Sequence, residues 1–449
     1  MTFSYGEGAT ATRAIAPPDG RAVVKAVTAT SIGNAVEWFD YGVYGFQAAT
    51  IGAIFFPSGN PSVSLLSSLA AFGLSFAIRP IGGLIFGPLA DVIGRRRVLA
   101  AMVILMSAST VVVGLLPGYA SIGVAAPALL VVARLVQGLS AGGEVGGASA
   151  MLAEYAPSRR RSFVCSFNET TSFAAFLLGS GVVLIISSTM SADSLSSWGW
   201  RIPFLAAAPL GAVGLYLRNK MEESPDFEAI RATGQVAEAP LRESFKTAWR
   251  PMITSGALAA IKAVGHWMIL TYVASYLIGT AKLSHPTAAL ATTIAIAVVA
   301  VLIPLAGVTS DRVGRRLMLR LACCLLVVTA YPAFWLLSRG TLASAVGGLL
   351  LLGVPVAVLD GAITATMTGI FPTRLRSVGL SVPYNISVAL FGGGAPFVAA
   401  WLVYITGDHT IPAIVIIVPA VLALIAALTL KDPGIASQDR ELAATEVAA

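Results

Sequence analysis

The stretch Gly87-Pro-Leu-Ala-Asp91-Val-Ile-Gly94-Arg95-Arg96 returns as Gly307-Val-Thr-Ser-Asp311-Arg-Val-Gly314-Arg315-Arg316, at an offset of 220 residues from Asp91 to Asp311. Each copy is a short basic turn between two long apolar runs. A second echo pairs Pro157-Ser-Arg-Arg-Arg161-Ser162 with Pro372-Thr-Arg-Leu-Arg376-Ser377, at an offset of 215. Two independent echoes at nearly one spacing indicate a duplicated chain. The interface between the repeats is then the expected place for a binding site.

The runs around those turns decide the class. Of 449 residues, 56% are apolar and 11% charged, with mean hydropathy +0.82; a soluble domain carries about 25% charged residues. A bilayer-spanning helix needs roughly 20 apolar residues. Such runs fall near 30–56, 66–90, 97–117, 123–153, 163–188 and 200–219, and again near 251–280, 286–309, 317–338, 342–370, 377–404 and 410–430. Each reads as a helix, because an open strand leaves its backbone polar groups unpaired in lipid. The expected fold is an all-α integral membrane protein with twelve transmembrane helices in two pseudo-symmetric six-helix bundles. Residues 1–25 read as a flexible cytoplasmic N-terminus and 26–219 as the N-terminal bundle. Residues 220–250 read as a cytoplasmic linker, 251–431 as the C-terminal bundle and 432–449 as a short cytoplasmic tail.

The net charge of +7 sits mostly in short loops between spans, which excludes a nucleic-acid surface and points to a bilayer partner. Arg13, Arg21, Lys25, Arg95–Arg97, Arg159–Arg161, Arg312, Arg315, Arg316, Arg374, Arg376 and Lys431 fall on one side. By the positive-inside rule that side is cytoplasmic, so both termini are expected there, in a multi-pass protein of the cytoplasmic membrane. Cys165, Cys323 and Cys324 offer neither a disulfide framework nor metal spacing. No cleaved leader is expected. No nucleophile–base pair, metal cluster or nucleotide loop suggests an enzyme, and no cofactor is expected.

The glycine, aspartate and arginine positions of the repeated turns resemble the signature of the major facilitator superfamily, and Arg134-Leu-Val-Gln137-Gly138 resembles its fourth-helix motif. A narrower resemblance, to the metabolite:proton symporter family, is carried by Gly33-Asn34-Ala-Val-Glu37-Trp38-Phe39-Asp40-Tyr41-Gly-Val-Tyr44-Gly45, Ile78-Arg79-Pro80-Ile-Gly82-Gly83, Gln137-Gly-Leu-Ser140-Ala-Gly142-Gly143-Glu144 and Trp198-Gly199-Trp200-Arg201-Ile-Pro203-Phe204. Within that family the chain is most similar to the proline/betaine transporters, through Gly146–Ser149 with Ala153-Glu154-Tyr155, and Asn385-Ile-Ser-Val388 with Ala399-Ala-Trp401-Leu-Val403. The resemblance implies alternating access driven by protons. It also implies a cytoplasmic gate in which Gly87, Asp91, Gly94, Arg95 and Arg96, with Asp311, Gly314, Arg315 and Arg316, latch helix ends. Lys262, His266 and Asp360 stand where that branch carries uncharged or aromatic residues. The segment after Lys431 shows no heptads, so osmotic gating through a coiled-coil tail is not expected.

The first helix holds the densest chemistry. Glu37, Asp40, Tyr41 and Tyr44 recur at helical spacing and share one face, extended by Asn34. A carboxylate facing lipid at the bilayer centre costs about 3 kcal/mol or more, so the stripe is expected to face a central cavity and take part in proton coupling or solute contact. On the fourth helix Arg134, Gln137 and Glu144 form a similar stripe. Arg134 and Glu144 lie about 15 Å apart along the axis and need partners elsewhere, with Glu37, Asp40 and Arg79 as candidates. Gly142, Gly143, Gly146 and Gly147 read as close-packing positions. Glu169, beside Asn168, is a candidate cavity residue. Lys262 and His266 share a face of the seventh helix: the ammonium suits a solute carboxylate, the imidazole a proton relay, and Asp360 is a candidate counter-ion for Lys262. Tyr384 and Asn385 complete the cavity set. Trp198, Trp200 and Trp267 read as interface anchors or packing, whereas Trp38, Tyr41, Tyr44 and Tyr384 are better placed for an aromatic cage.

The expected function is proton-coupled uptake of a small polar carboxylate-bearing solute, proline or glycine betaine first, by a protein acting as a monomer. The alternative is a proton-coupled organic-acid carrier for shikimate, alpha-ketoglutarate or another dicarboxylate, or citrate; an efflux antiporter is the lesser alternative.

Overall fold

The computed structural model describes residues 20–232, 234 and 239–430. Every regular element among the described residues is helical, without strands. The helices, in chain order, are α1 (Gly20–Phe55), α2 (Val63–Ile93), α3 (Arg95–Leu115), α4 (Ala125–Tyr155), α5 (Ser158–Thr189), α6 (Leu195–Asn219), α7 (Trp249–Gly279), α8 (His285–Val313), α9 (Arg315–Leu337), α10 (Leu342–Gly369), α11 (Thr373–Thr406) and α12 (Ala413–Thr429). Ten of them are long and apolar enough to cross a bilayer on composition alone. The other two are α1, which carries Arg21, Lys25, Glu37 and Asp40, and α12, which has 17 residues.

Helix α1 begins at Gly20, ahead of the bundle boundary expected at 26. The first 19 residues, including Arg13, and the tail 432–449 lie outside the described residues. The linker holds two short helices, Pro225–Ala232 and Pro240–Thr247, each opened by a proline, which fits the first helical turn because its missing N–H would be unpaired there. Helix α7 then starts at Trp249.

Breaks in the helices fall near the site. Helix α2 interrupts at Ile78, before Arg79-Pro80. Wider π-type turns occupy Met268–Tyr272 in α7 and Val388–Gly392 in α11; such turns release backbone groups and gather at functional positions. The halves meet chiefly where α2 packs on α11 and α5 on α8, which are pseudo-symmetric pairs. Small residues make this possible: a Cβ on Gly146 would strike Ser381 of α11, and one on Gly307 would strike Phe163 of α5, while within the N-terminal half a Cβ on Gly142 would strike the backbone of Arg79. The expected packing role of that glycine stripe follows from these approaches.

Candidate functional site

Charge is sequestered in three layers along the bundle. At the arginine-rich end, Asp91 at the close of α2 accepts the backbone N–H groups of Ser377 (3.2 Å) and Val378 (2.9 Å) at the start of α11. In the other half, Asp311 accepts those of Ser162 (2.8 Å) and Phe163 (2.9 Å) at the start of α5. A carboxylate at a helix N-terminus satisfies orphan donors and meets the positive end of the macrodipole. Gly94 and Gly314 turn the chain just after each aspartate with φ of 104° and 99°, a region that L side chains avoid.

Arg95 is the hub of this layer. Its guanidinium reaches Asp91 (3.5 Å), Glu154 (3.0 Å) and the carbonyl of Thr373 (2.7 Å) and lies over the ring of Phe227. Arg376 adds a 2.7 Å bond to Glu154, and Arg315 donates to Ser162 Oγ at 3.2 Å. Arg96 donates to the carbonyl of Asn219; no acid faces Arg316 among the described residues. The linker joins in through Glu223, whose carboxylate accepts the backbone N–H groups of Arg95 (3.1 Å) and Arg96 (3.2 Å) at the start of α3. Burial holds the Glu223 carboxyl above its ordinary range, opposed by those N–H bonds.

A second layer lies inside the N-terminal half. Arg134 donates to Asp40 at 2.6 Å and stacks over the ring of Tyr44 at 3.7 Å, and Gln137 bridges Asp40 (3.2 Å) and Thr110 (2.7 Å). Tyr44 donates to the carbonyl of Ser68. Glu144 is held by Arg218 of α6, which also donates to the carbonyls of Leu99 and Ala29. All are buried. Asp40, Tyr44, Arg134, Gln137 and Glu144 thus sit within the N-terminal bundle and do not line the central cavity. The single stripe expected for α1 divides, because Glu37 turns toward the other half while Asp40 turns toward α4.

The third layer is the cavity between the halves, about 20 Å³, room for about one water. Glu37 accepts from Arg79 (2.7 Å) and Tyr41 (2.8 Å), and Arg79 reaches Asn385 of α11 at 3.3 Å. Asn385 also donates to the carbonyl of Gly142 at 2.7 Å. Glu169 accepts from Lys262 (2.8 Å), Thr364 (2.7 Å) and Asn168 (3.2 Å). His266 pairs with Asp360 at 2.8 Å. The counter-ion expected for Lys262 is therefore corrected: Glu169 takes the ammonium and Asp360 takes the imidazole. Glu169, His266 and Asp360 bring ligand atoms within 4.8 Å of one another. The ammonium of Lys262 already supplies positive charge there, a setting unlike a metal site.

Aromatic rings close the cavity. Trp38 of α1 stacks on Trp267 of α7 at 5.8 Å, Trp267 meets Phe76 edge-on at 4.9 Å, and Tyr41 packs on Phe72 and Phe76. Trp267 thus lines the cavity, rather than only packing as expected, and Tyr384 stands 5.1 Å from the Lys262 ammonium. Trp200 is buried against Phe55 and Phe204, and Trp198 is exposed.

The family model of the Major Facilitator Superfamily matches residues 30–392. The chain belongs to that superfamily. It is 41% identical over 420 residues to a proline/betaine transporter of Salmonella typhimurium, covering 91% of this chain and 83% of that protein. It is 39% identical over 429 residues to a glycine betaine/proline/ectoine/pipecolic acid transporter of Dickeya dadantii, covering 92% and 84%. An ectoine/proline transporter of Corynebacterium glutamicum is 34% identical over 432 residues, covering 93% and 85%. In three dimensions the chain resembles a proton:xylose symporter with a TM-score of 0.73 at 18% identity, covering 91% of this chain and 95% of that one; this likeness carries the fold. The protein is a multi-pass membrane protein and a secondary transporter of small molecules, not an enzyme.

In this facilitator several residues of weight went unassigned in the sequence reading. Arg218 is the partner of Glu144; an arginine in the last turn of the apolar run of α6 is the signal that could have found it. Glu154 links Arg95 to Arg376 but was quoted only within a motif. Glu223 falls within the linker, and only the fold brings it to the start of α3. Thr364 carries no periodic signal.

Proposed function

We propose that this facilitator couples proton entry to uptake of a small zwitterionic solute bearing a carboxylate, proline or glycine betaine first, across the cytoplasmic membrane, with the arginine-rich end and both termini in the cytoplasm. The observation that carries the reading is the charge-balanced cavity between the halves, where Glu37–Arg79 and Glu169–Lys262 lie side by side beneath aromatic rings. Balanced charge suits a dipolar solute, and Trp38, Trp267 and Tyr384 suit its ammonium end. The names of the relatives support the same solute class.

Glu37, Asp40 and Glu144 form the proton-responsive set, each held by an arginine of its own half, so that protonation of the carboxylate, rather than separation of the halves, releases it. Coupling follows when proton and solute together favour the transition that neither drives alone. The closed arrangement at both ends of the cavity fits an occluded step of such a cycle. The test is uptake of labelled proline and glycine betaine into proteoliposomes under an imposed pH gradient, with organic acids as competitors. Accumulation that follows the gradient and collapses with a protonophore is expected. Uptake indifferent to both excludes symport, and displacement by dicarboxylates but not by proline excludes the solute.

A further inference from the structure

The ion pairs of the cavity differ in which helices they join. Glu37–Arg79 links α1 to α2, and His266–Asp360 links α7 to α10, each within one half. Lys262–Glu169 links α7 to α5 and so crosses from one half to the other. Its side chains are 5% and 1% exposed. This pair must part whenever the halves swing open on that side.

We propose, resting on the zwitterion reading above, that the solute opens this pair by replacing both partners at once. Its carboxylate takes the Lys262 ammonium, and its cationic nitrogen takes Glu169. The Lys262–Glu169 pair is thereby the element that selects dipolar solutes over singly charged ones.

The reason is charge conservation in a dry site. Separating a buried ion pair strands two charges unless each finds a new partner. A zwitterion supplies both. A plain anion satisfies Lys262 and leaves Glu169 with Thr364, Asn168 and the nearby His266, which is itself paired with Asp360. A plain cation satisfies Glu169 and strands Lys262 against the ring of Tyr384. The neighbouring charges are already paired, Asp360 through Oδ2 with His266 and Arg79 with Glu37, so drawing either into the pair disturbs a second contact. The cavity of about 20 Å³ leaves no room beside the pair, so solute entry and pair separation are one event. For a quaternary ammonium, which has no N–H to donate, the rings of Trp38 and Tyr384 add the attraction that hydrogen bonds would supply.

The experiment is a binding comparison by calorimetry on the purified full-length protein. The probes are L-proline, glycine betaine, cyclopentanecarboxylate (the carboxylate alone), and pyrrolidine and choline (the cation alone). The unaltered protein should prefer the zwitterions by at least about tenfold. Glu169→Gln, which keeps an acceptor for Thr364, should weaken zwitterion binding and raise the affinity for cyclopentanecarboxylate. Lys262→Met should weaken zwitterion binding and raise the affinity for choline or pyrrolidine. Either inversion supports the proposal, so one folded variant suffices. Equal losses for every probe, or an unchanged order of preference, would overturn it while leaving the solute assignment standing. Preference of the unaltered protein for cyclopentanecarboxylate over both zwitterions would overturn the solute assignment as well.

Discussion

Asp91 and Asp311 each cap a helix of the opposite half: Asp91 holds the start of α11 and Asp311 the start of α5. The duplicated turn is therefore a reciprocal clasp, in which each half contributes one carboxylate and receives one. We propose that both caps release when the arginine-rich end opens. Each cap joins helices that the rest of the bundle holds through small-residue packing, so the clasp can part without unravelling either half.

Loss of one cap should bias the protein toward opening at that end. Replacing a capping carboxylate costs about 0.5–2 kcal/mol, a shift of roughly 5- to 30-fold for the upper part of that range. Cys165, buried on α5 close to the Asp311 cap, reports the change once the exposed Cys324 is removed by Cys324→Ser. Asp311→Ala should speed its reaction with a water-soluble maleimide applied at the arginine-rich side. An unchanged labelling rate would mean the clasp does not hold the end shut.

Arg134 and Asp40 form a fully buried pair. Removing one partner leaves an uncompensated charge at about 3–5 kcal/mol, so Arg134→Ala should lower the melting temperature sharply. The double variant Asp40→Asn with Arg134→Gln should recover much of that loss, since a neutral pair is no longer stranded. Recovered stability without gradient-driven accumulation is the expected outcome in proteoliposomes; recovered accumulation would remove Asp40 from the proton-responsive set.

Gly33 lies against the guanidinium of Arg218 and the carboxylate of Glu144, where a Cβ would overlap both. Gly33→Ala should displace that pair and destabilise the fold by about 1–3 kcal/mol. Thermal melting in detergent checks this, and an unchanged melting temperature would show that the pair relaxes freely.

Glu223 contributes to the pH dependence outside the membrane. Burial raises its folded-state pKa above the unfolded value. The folded protein therefore binds this proton more tightly, and the group's contribution to stability falls as pH rises from the ordinary glutamate range through the raised value. The melting temperature of Glu223→Gln should accordingly depend less on pH across that acidic window than that of the unaltered protein. Parallel pH profiles would exclude Glu223 as the source.

Much of the fold was legible because lipid enforces a simple rule. Apolar runs of spanning length must be helices, and the echo of Asp91 at Asp311 reveals two halves. The positions of Asp91 and Asp311 against the opposite half were legible for a related reason, since both lie within the repeated turn. Pairing inside the bundle was not. Helical spacing places Glu37 and Asp40 on one side of α1, but their partners on α2 and α4 depend on how those helices rotate about one another. Lys262 could face either Glu169 or Asp360, and only packing across the half interface decides between them. Arg218 escaped because no repeat or motif marks it.

The most direct measurement of the central claim is proton movement itself. A pH-sensitive dye enclosed in proteoliposomes should report acidification of the lumen when glycine betaine is added outside with no imposed gradient. The acidification should rise with the rate of solute entry, and Asp40→Asn with Arg134→Gln should abolish it. Entry of labelled glycine betaine with no change in luminal pH would contradict the account.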